Sequence, residues 1–152
     1  MAITYKNVFW DFVLDPLRDL CMSEYNYGKV YIAPEIHHKD SFSIRLWGLN
    51  ADKEEYVVDA HARQYNVEVA LYMIETNPGE AFYKQFYNDG ERLHQLLFNN
   101  KTKSTTVDST TYTWVDGSVE SMGINELVGQ EETIEGLHAI KIDFNCKLTV
   151  SV

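Results

Sequence analysis

The final stretch His138–Val152, HAIKIDFNCKLTVSV, decides the fold. His138, Ile140, Ile142, Phe144, Cys146, Leu148, Val150 and Val152 share one phase of a two-residue repeat, and from Lys141 to Ser151 the other phase is polar throughout. Successive side chains of a strand point to opposite faces. The pattern therefore predicts a long antiparallel-type strand, buried on one side and wet on the other.

Working back from it, residues 56–74 contain no Gly or Pro and keep an extended pattern, with Tyr65, Val67, Val69, Leu71 and Met73 in one phase. The first part, Tyr56–Arg63, does not alternate, which predicts that it projects beyond the core or bends at a bulge. Ser41–Trp47 alternates: Phe42, Ile44 and Leu46 face one way, Ser43, Arg45 and Trp47 the other, with Gly48–Asp52 read as the turn that follows. Lys29–Ala33 reads as a short strand stopped by Pro34.

Two helices complete the layout. Asn77-Pro78-Gly79-Glu80 reads as a helix start, with Asn77 as cap and Pro78 in the first position. Phe82, Phe86, Gly90, Leu93 and Leu97 then follow at helical spacing to Asn99-Asn100, and Gly90 predicts close approach to a sheet. Near the amino end, Phe9, Val13, Leu17 and Leu20 mark a second apolar face that Pro16 interrupts, so residues 5–21 read as one kinked helix or two short ones. The polar run 101–111, KTKSTTVDSTT, is either a flexible loop or a strand edge. Tyr112–Val115 reads as strand, Asp116-Gly117 as a turn, and 118–136 as strand pieces with loops. The expectation is one α+β domain over 1–152: a mostly antiparallel sheet with two helices packed on one face.

Composition narrows the function. The 152 residues carry 13 Lys+Arg against 23 Asp+Glu, a formal charge of -10, which argues against a basic face that grips phosphates. The opening MAITYKNVFWDFVLDPLRDL lacks the basic, apolar and small-residue regions of a signal peptide, and no apolar run is long enough to span a bilayer. Cys21 and Cys146 could form at most one bridge, a usage that fits a reducing cytoplasm. Cys146 falls on the apolar face of the last strand, where a thiol acts as a small hydrophobe.

Catalytic patterns are lacking. Of the five histidines, His37 and His38 are adjacent and point apart in an extended segment, while His61, His94 and His138 are scattered, with no pair at metal-ligand spacing. The carboxylate groups (Asp11/Asp15/Asp19, Asp52/Glu54/Glu55, Glu131/Glu132/Glu135) read as solvated faces. No Gly-rich phosphate loop or G-x-S-x-G elbow occurs. The expectation is no catalytic residue, no metal and no cofactor. Ten Tyr, seven Phe and three Trp exceed the needs of one core, and such a surplus on an acidic surface marks protein–protein contact.

The segments Val8–Cys21, Ser41–Gly48, Asn66–Ile74 (NVEVALYMI), Ala81–Asn99 and Ile140–Val152 form a sequence of helix, strands, long helix, polar insertion and terminal strand. That layout resembles the tail terminator proteins of tailed bacteriophages over nearly the whole chain. Pro16 and the length and polarity of 50–63 depart from it. The resemblance implies a non-enzymatic virion protein at the neck, assembled in the host cytoplasm as a hexameric ring. The ring would end tail-tube growth on the last layer of tube protein and join the tail to the head connector or head-completion protein. Genomic DNA would pass through the lumen without specific binding, and no membrane is involved. A heterologous, head-to-tail contact must close such a ring; Tyr56, His61 and Arg63, together with 101–111, are the candidate contact residues, since they follow neither a core alternation nor a helical face. Other neck or head-completion proteins, an acidic DNA-mimic binding module, and an enzyme whose site assembles only in three dimensions are the alternatives.

Overall fold

The computed structural model describes residues 2–3, 5–26, 29–33, 42–57, 60–125, 132 and 134–151, with the side chains of 53–57, 60, 61 and 151 outside that description. Among the described residues, six strands form one sheet in the order β1-β2-β3-β6-β5-β4: β1 Lys29–Ile32, β2 Ser43–Val57, β3 Ala60–Ile74, β4 Lys103–Val107, β5 Thr110–Ile124 and β6 Leu137–Ser151. β1 runs parallel to β2, and every other neighbouring pair is antiparallel. Two helices, α1 (Asp15–Glu24) and α2 (Glu80–Asn99), lie on one face, as the α+β reading expects.

β6 sits inside the sheet, paired with β3 on one side and β5 on the other. Its apolar phase is buried: Ile140, Ile142, Phe144, Cys146 and Leu148 are each at most 2% exposed. Val67, Val69 and Leu71 of β3 join them, with Ile44 and Leu46 of β2. The helices close this layer through Val13, Leu17 and Cys21 on one side and Phe86, Leu93 and Leu97 on the other. The glycine expectation for α2 holds, because a Cβ on Gly90 would stand 2.4 Å from Ile140 Cδ1. The polar phase of β6 makes cross-strand pairs instead: Ser118 Oγ donates to Asn145 Oδ1 at 2.6 Å and Ser121 Oγ to Asp143 Oδ2 at 3.0 Å.

Pro16 does not split the first helix. Val8 and Phe9 lead into a π-helical turn, Trp10–Leu14, that runs straight into α1. Proline lacks an N–H and its ring crowds the carbonyl four residues back. The chain widens by one residue here, and the Asp15 N–H bonds to the Trp10 carbonyl, five residues back. Beyond α1, Tyr25 Oη donates to the Asp89 carbonyl (3.0 Å), while Arg92 Nε pairs with Glu24 at 2.6 Å, tying the two helices together.

Four local expectations need correction. Gly48–Asp52 is not a turn: β2 continues to Val57 through irregularities between Gly48 and Asn50 and between Asp52 and Glu55. Gly48 serves a contact, since a Cβ there would lie 2.5 Å from Phe9 Cζ. The extended stretch from Tyr56 is not one strand but the two arms of a hairpin, with Val57 opposite Ala60 and Tyr56 opposite His61. Asp116-Gly117 is a bulge within β5, with Asp116 at φ 53°. Asn77 does not cap α2; Gly79 holds that position without a side-chain cap.

The sheet's second face also differs from a simple wet surface. Ser43 and Arg45 are each 1% exposed. Near them Ala70, Tyr72, Leu137 and Ala139 form a smaller apolar cluster with Trp47, Ile74 and Ile134. Arg45 lies over the Tyr31 ring at 4.8 Å, where a guanidinium gains both stacking and cation–π attraction.

Cys21 and Cys146 are free and buried, and burial pushes both thiols up from 9.0 to about 12. An unfolded thiol ionises near pH 9, but the folded one resists until about 12. The stability contributed by keeping the thiols neutral is therefore complete below pH 9 and lost as pH rises towards 12. Urea midpoints should fall across that window, and more steeply than in a Cys21→Ala/Cys146→Ala variant. Parallel slopes for the two proteins would contradict this.

Candidate subunit-interaction surface

Register places the two predicted contact segments at one end of the sheet. Tyr56 lies opposite His61, His61 opposite Val150, Val150 opposite Tyr112 and Tyr112 opposite Thr105. One step along, Val57, Ala60, Ser151, Thr111 and Thr106 form the next row. The polar run 101–111 is thus edge strand β4 and its hairpin into β5, turning at Asp108 (φ 49°) and Ser109 (φ 65°). Paired left-handed residues suit the twist of a two-residue hairpin.

Residues 60–63 do not stand free, because β3 stays paired with β6 as far as Ala60 and Ser151. What the segment supplies is a level row of strand ends. The side chains of Tyr56 and His61 lie outside the described residues, as do His37 and His38 altogether.

Arg63 is half-buried on the helix-bearing face, and its Nη1 donates to Tyr65 Oη at 3.3 Å. It lines a cleft of about 450 Å³ with Lys6, Phe9, Ala51 and Tyr65 beside the start of the first helix. Lys6 reaches Asp108 at 3.5 Å, which links the amino-terminal segment to the β4–β5 turn. Arg63 and Lys6, the latter paired with Asp108, thus lie together beside the start of a helix on an acidic chain. Sequence reading absorbed residues 5–9 into the helix pattern and so missed this participation. Ile3 (79% exposed) and Tyr5 (76%) carry the signal that could have revealed it: bulky apolar side chains ahead of the helical apolar period.

Aromatic residues divide between two roles. Tyr25, Tyr65, Tyr72, Tyr112, Trp114, Phe86 and Phe144 are buried, so much of the surplus fills the core. Phe12 stacks on Tyr112 with ring centroids 3.7 Å apart, and Phe9 meets Tyr65 edge-on at 4.5 Å. Tyr5, Trp10, Tyr87 and Phe98 remain exposed.

Other titratable side chains among the described residues lie against rings or backbone. His138 packs among Phe82, Tyr83 and Phe86, with Nε2 3.3 Å from the Glu75 carbonyl, and His94 stacks on Phe98. Among the described residues no three His, Cys, Asp or Glu side chains are grouped to hold a metal ion. Asp15, of the acidic helix set, pairs with Arg18. No helix among the described residues is long and apolar enough to cross a membrane. No protein-family model matches the chain, and a search of the curated proteins finds no match.

Proposed function

We propose that this chain is a non-enzymatic ring subunit of the tail-terminator kind, stacked at the head-proximal end of a phage tail tube. There it stops tube polymerisation and joins the tail to the head connector. The observation that supports this reading best is the convergence of residues 55–57, 60–63 and 103–111, far apart in sequence, on one end of a single sheet. Ring subunits need a contact region of this kind, held in place by the sheet. The order of helix, strands, long helix and strands along the chain is compatible with this reading. Immunolabelling of purified particles tests the placement. Label should decorate the head–tail junction; label at the tail tip, or none on particles, contradicts the reading.

The charge of -10 gives the lumen of such a ring a negative lining that repels phosphates and lets a genome slide. The free protein should accordingly show no appreciable double-stranded DNA binding near physiological salt. Tight binding in an anisotropy titration, weakening steeply with added salt, would end the sliding argument.

A further inference from the structure

Resting on the ring reading, we infer that neighbouring copies join edge to edge, the outer edge of β2 in one copy pairing with β4 of the next to continue the sheet between subunits. β1 covers β2 only from Ser43 to Leu46, and no other described residue pairs with the outer edge of β2 along Trp47–Val57. At the opposite side of the sheet, β4 pairs among the described residues with β5 alone. Among the described residues each edge therefore presents backbone donors and acceptors, a template for another strand.

Three features select a second copy of this chain as the occupant. First, the edges are complementary in charge: β2 carries Asp52, Lys53, Glu54 and Glu55, whereas 101–107 carries Lys101 and Lys103 and no acid. Second, the edges are level. Glu55, Ala62, Thr149, Thr113 and Ser104 form one row across the sheet, so β2 and β4 end at the same height. A head-to-tail contact between edges at one height adds little rise per copy, which favours a closed ring over an open filament. Third, alternation along β2-β3-β6-β5-β4 makes β2 and β4 run in the same direction. A rotation about an axis along the strands then brings them together as a parallel pair, the arrangement β1 and β2 already use.

The irregularities at Gly48/Asn50 and Asp52/Glu55 divide β2 into short regular runs, which limits the length of any strand pairing along it. Like charges oppose pairing of β2 with its own kind, whereas the lysine-bearing β4 meets no such repulsion.

Cross-linking between two single-cysteine additions tests this. Four inter-strand steps of about 4.8 Å put β2 and β4 about 19 Å apart within one copy, whereas a disulfide needs Cα atoms within about 7 Å. A mixture of Glu55→Cys and Ser104→Cys proteins should give cross-linked dimers under mild oxidation, and neither alone should. Lys101→Glu/Lys103→Glu should weaken assembly at least tenfold, and Asp52→Lys/Glu55→Lys should restore it when the two variants are mixed. Rings that form normally, show no mixed cross-link and ignore both charge reversals would overturn the edge pairing and leave the ring reading standing. Failure of the unmodified protein to assemble at all would instead remove the ring reading, and this inference with it.

Discussion

Phe144→Ala is expected to cost about 3–5 kcal/mol of folding stability, through lost burial and the cavity left behind. Phe144 is 1% exposed on the helix-bearing face of β6. It meets Trp114 edge-to-face at 6.3 Å and stands opposite Val67 of β3 and Val119 of β5. Strands on both sides and a helix layer above leave the site little room to collapse. Lys147, on the opposite face of the same strand, is partly exposed beside Asp116, Glu120 and Asn145. Lys147→Ala should cost less than about 1 kcal/mol, the range of a solvated ion pair. Denaturant midpoints for the two variants measure the contrast, and equal losses would mean that the two faces of β6 are wrongly assigned.

Arg63→Glu should leave the subunit folded and abolish its assembly. The guanidinium sits at a half-exposed cleft with Lys6, where it can pair in fork geometry with a carboxylate of an acidic neighbour. Reversal places like charges against each other at every repeat of the ring, so association should weaken more than tenfold per contact. Circular dichroism should remain native while sedimentation shifts to the monomer. Arg63→Lys keeps the charge without the fork and should assemble weakly. An unfolded Arg63→Glu protein would show that the Tyr65 contact is a core element. Normal rings would remove this cleft from the interface.

The parts of the fold that could be read from sequence are those where burial repeats with a fixed period. β6 alternates so regularly that its buried and wet faces follow from side-chain direction alone, and the face of α2 follows from its 3.6-residue spacing. The errors occurred where one residue type serves two structures. Gly48, Asn50 and Asp52, like Asp116 and Gly117, mark either turns or bulges, and only pairing across the sheet decides between them. The break between β2 and β3 falls in Val57-Val58-Asp59-Ala60, which lacks the Asn-Gly or Gly-Gly signature of a tight hairpin. Alternation puts Arg45 on the face opposite Ile44 and Leu46, but that Tyr31 and Tyr72 bury it there in an aromatic setting depends on strand pairing that no local pattern carries.

The candidate contact surface was legible as two segments but not as one place. Tyr56, His61, Arg63 and 101–111 each departed from core patterns, which sequence can show. Their alignment at one end depends on the register of β3, β6 and β5, a long-range property that no local pattern carries. Lys6 and the segment around it were missed for the same reason, since the Lys6–Asp108 pair spans most of the chain.

The native mass of the unmodified protein tests the central claim most directly. Sedimentation equilibrium over a wide concentration range, repeated in the presence of tail tubes, should give a closed species several-fold heavier than the 17.6 kDa chain, with no larger open polymers. A mass that stays at 17.6 kDa under all of these conditions would contradict the account.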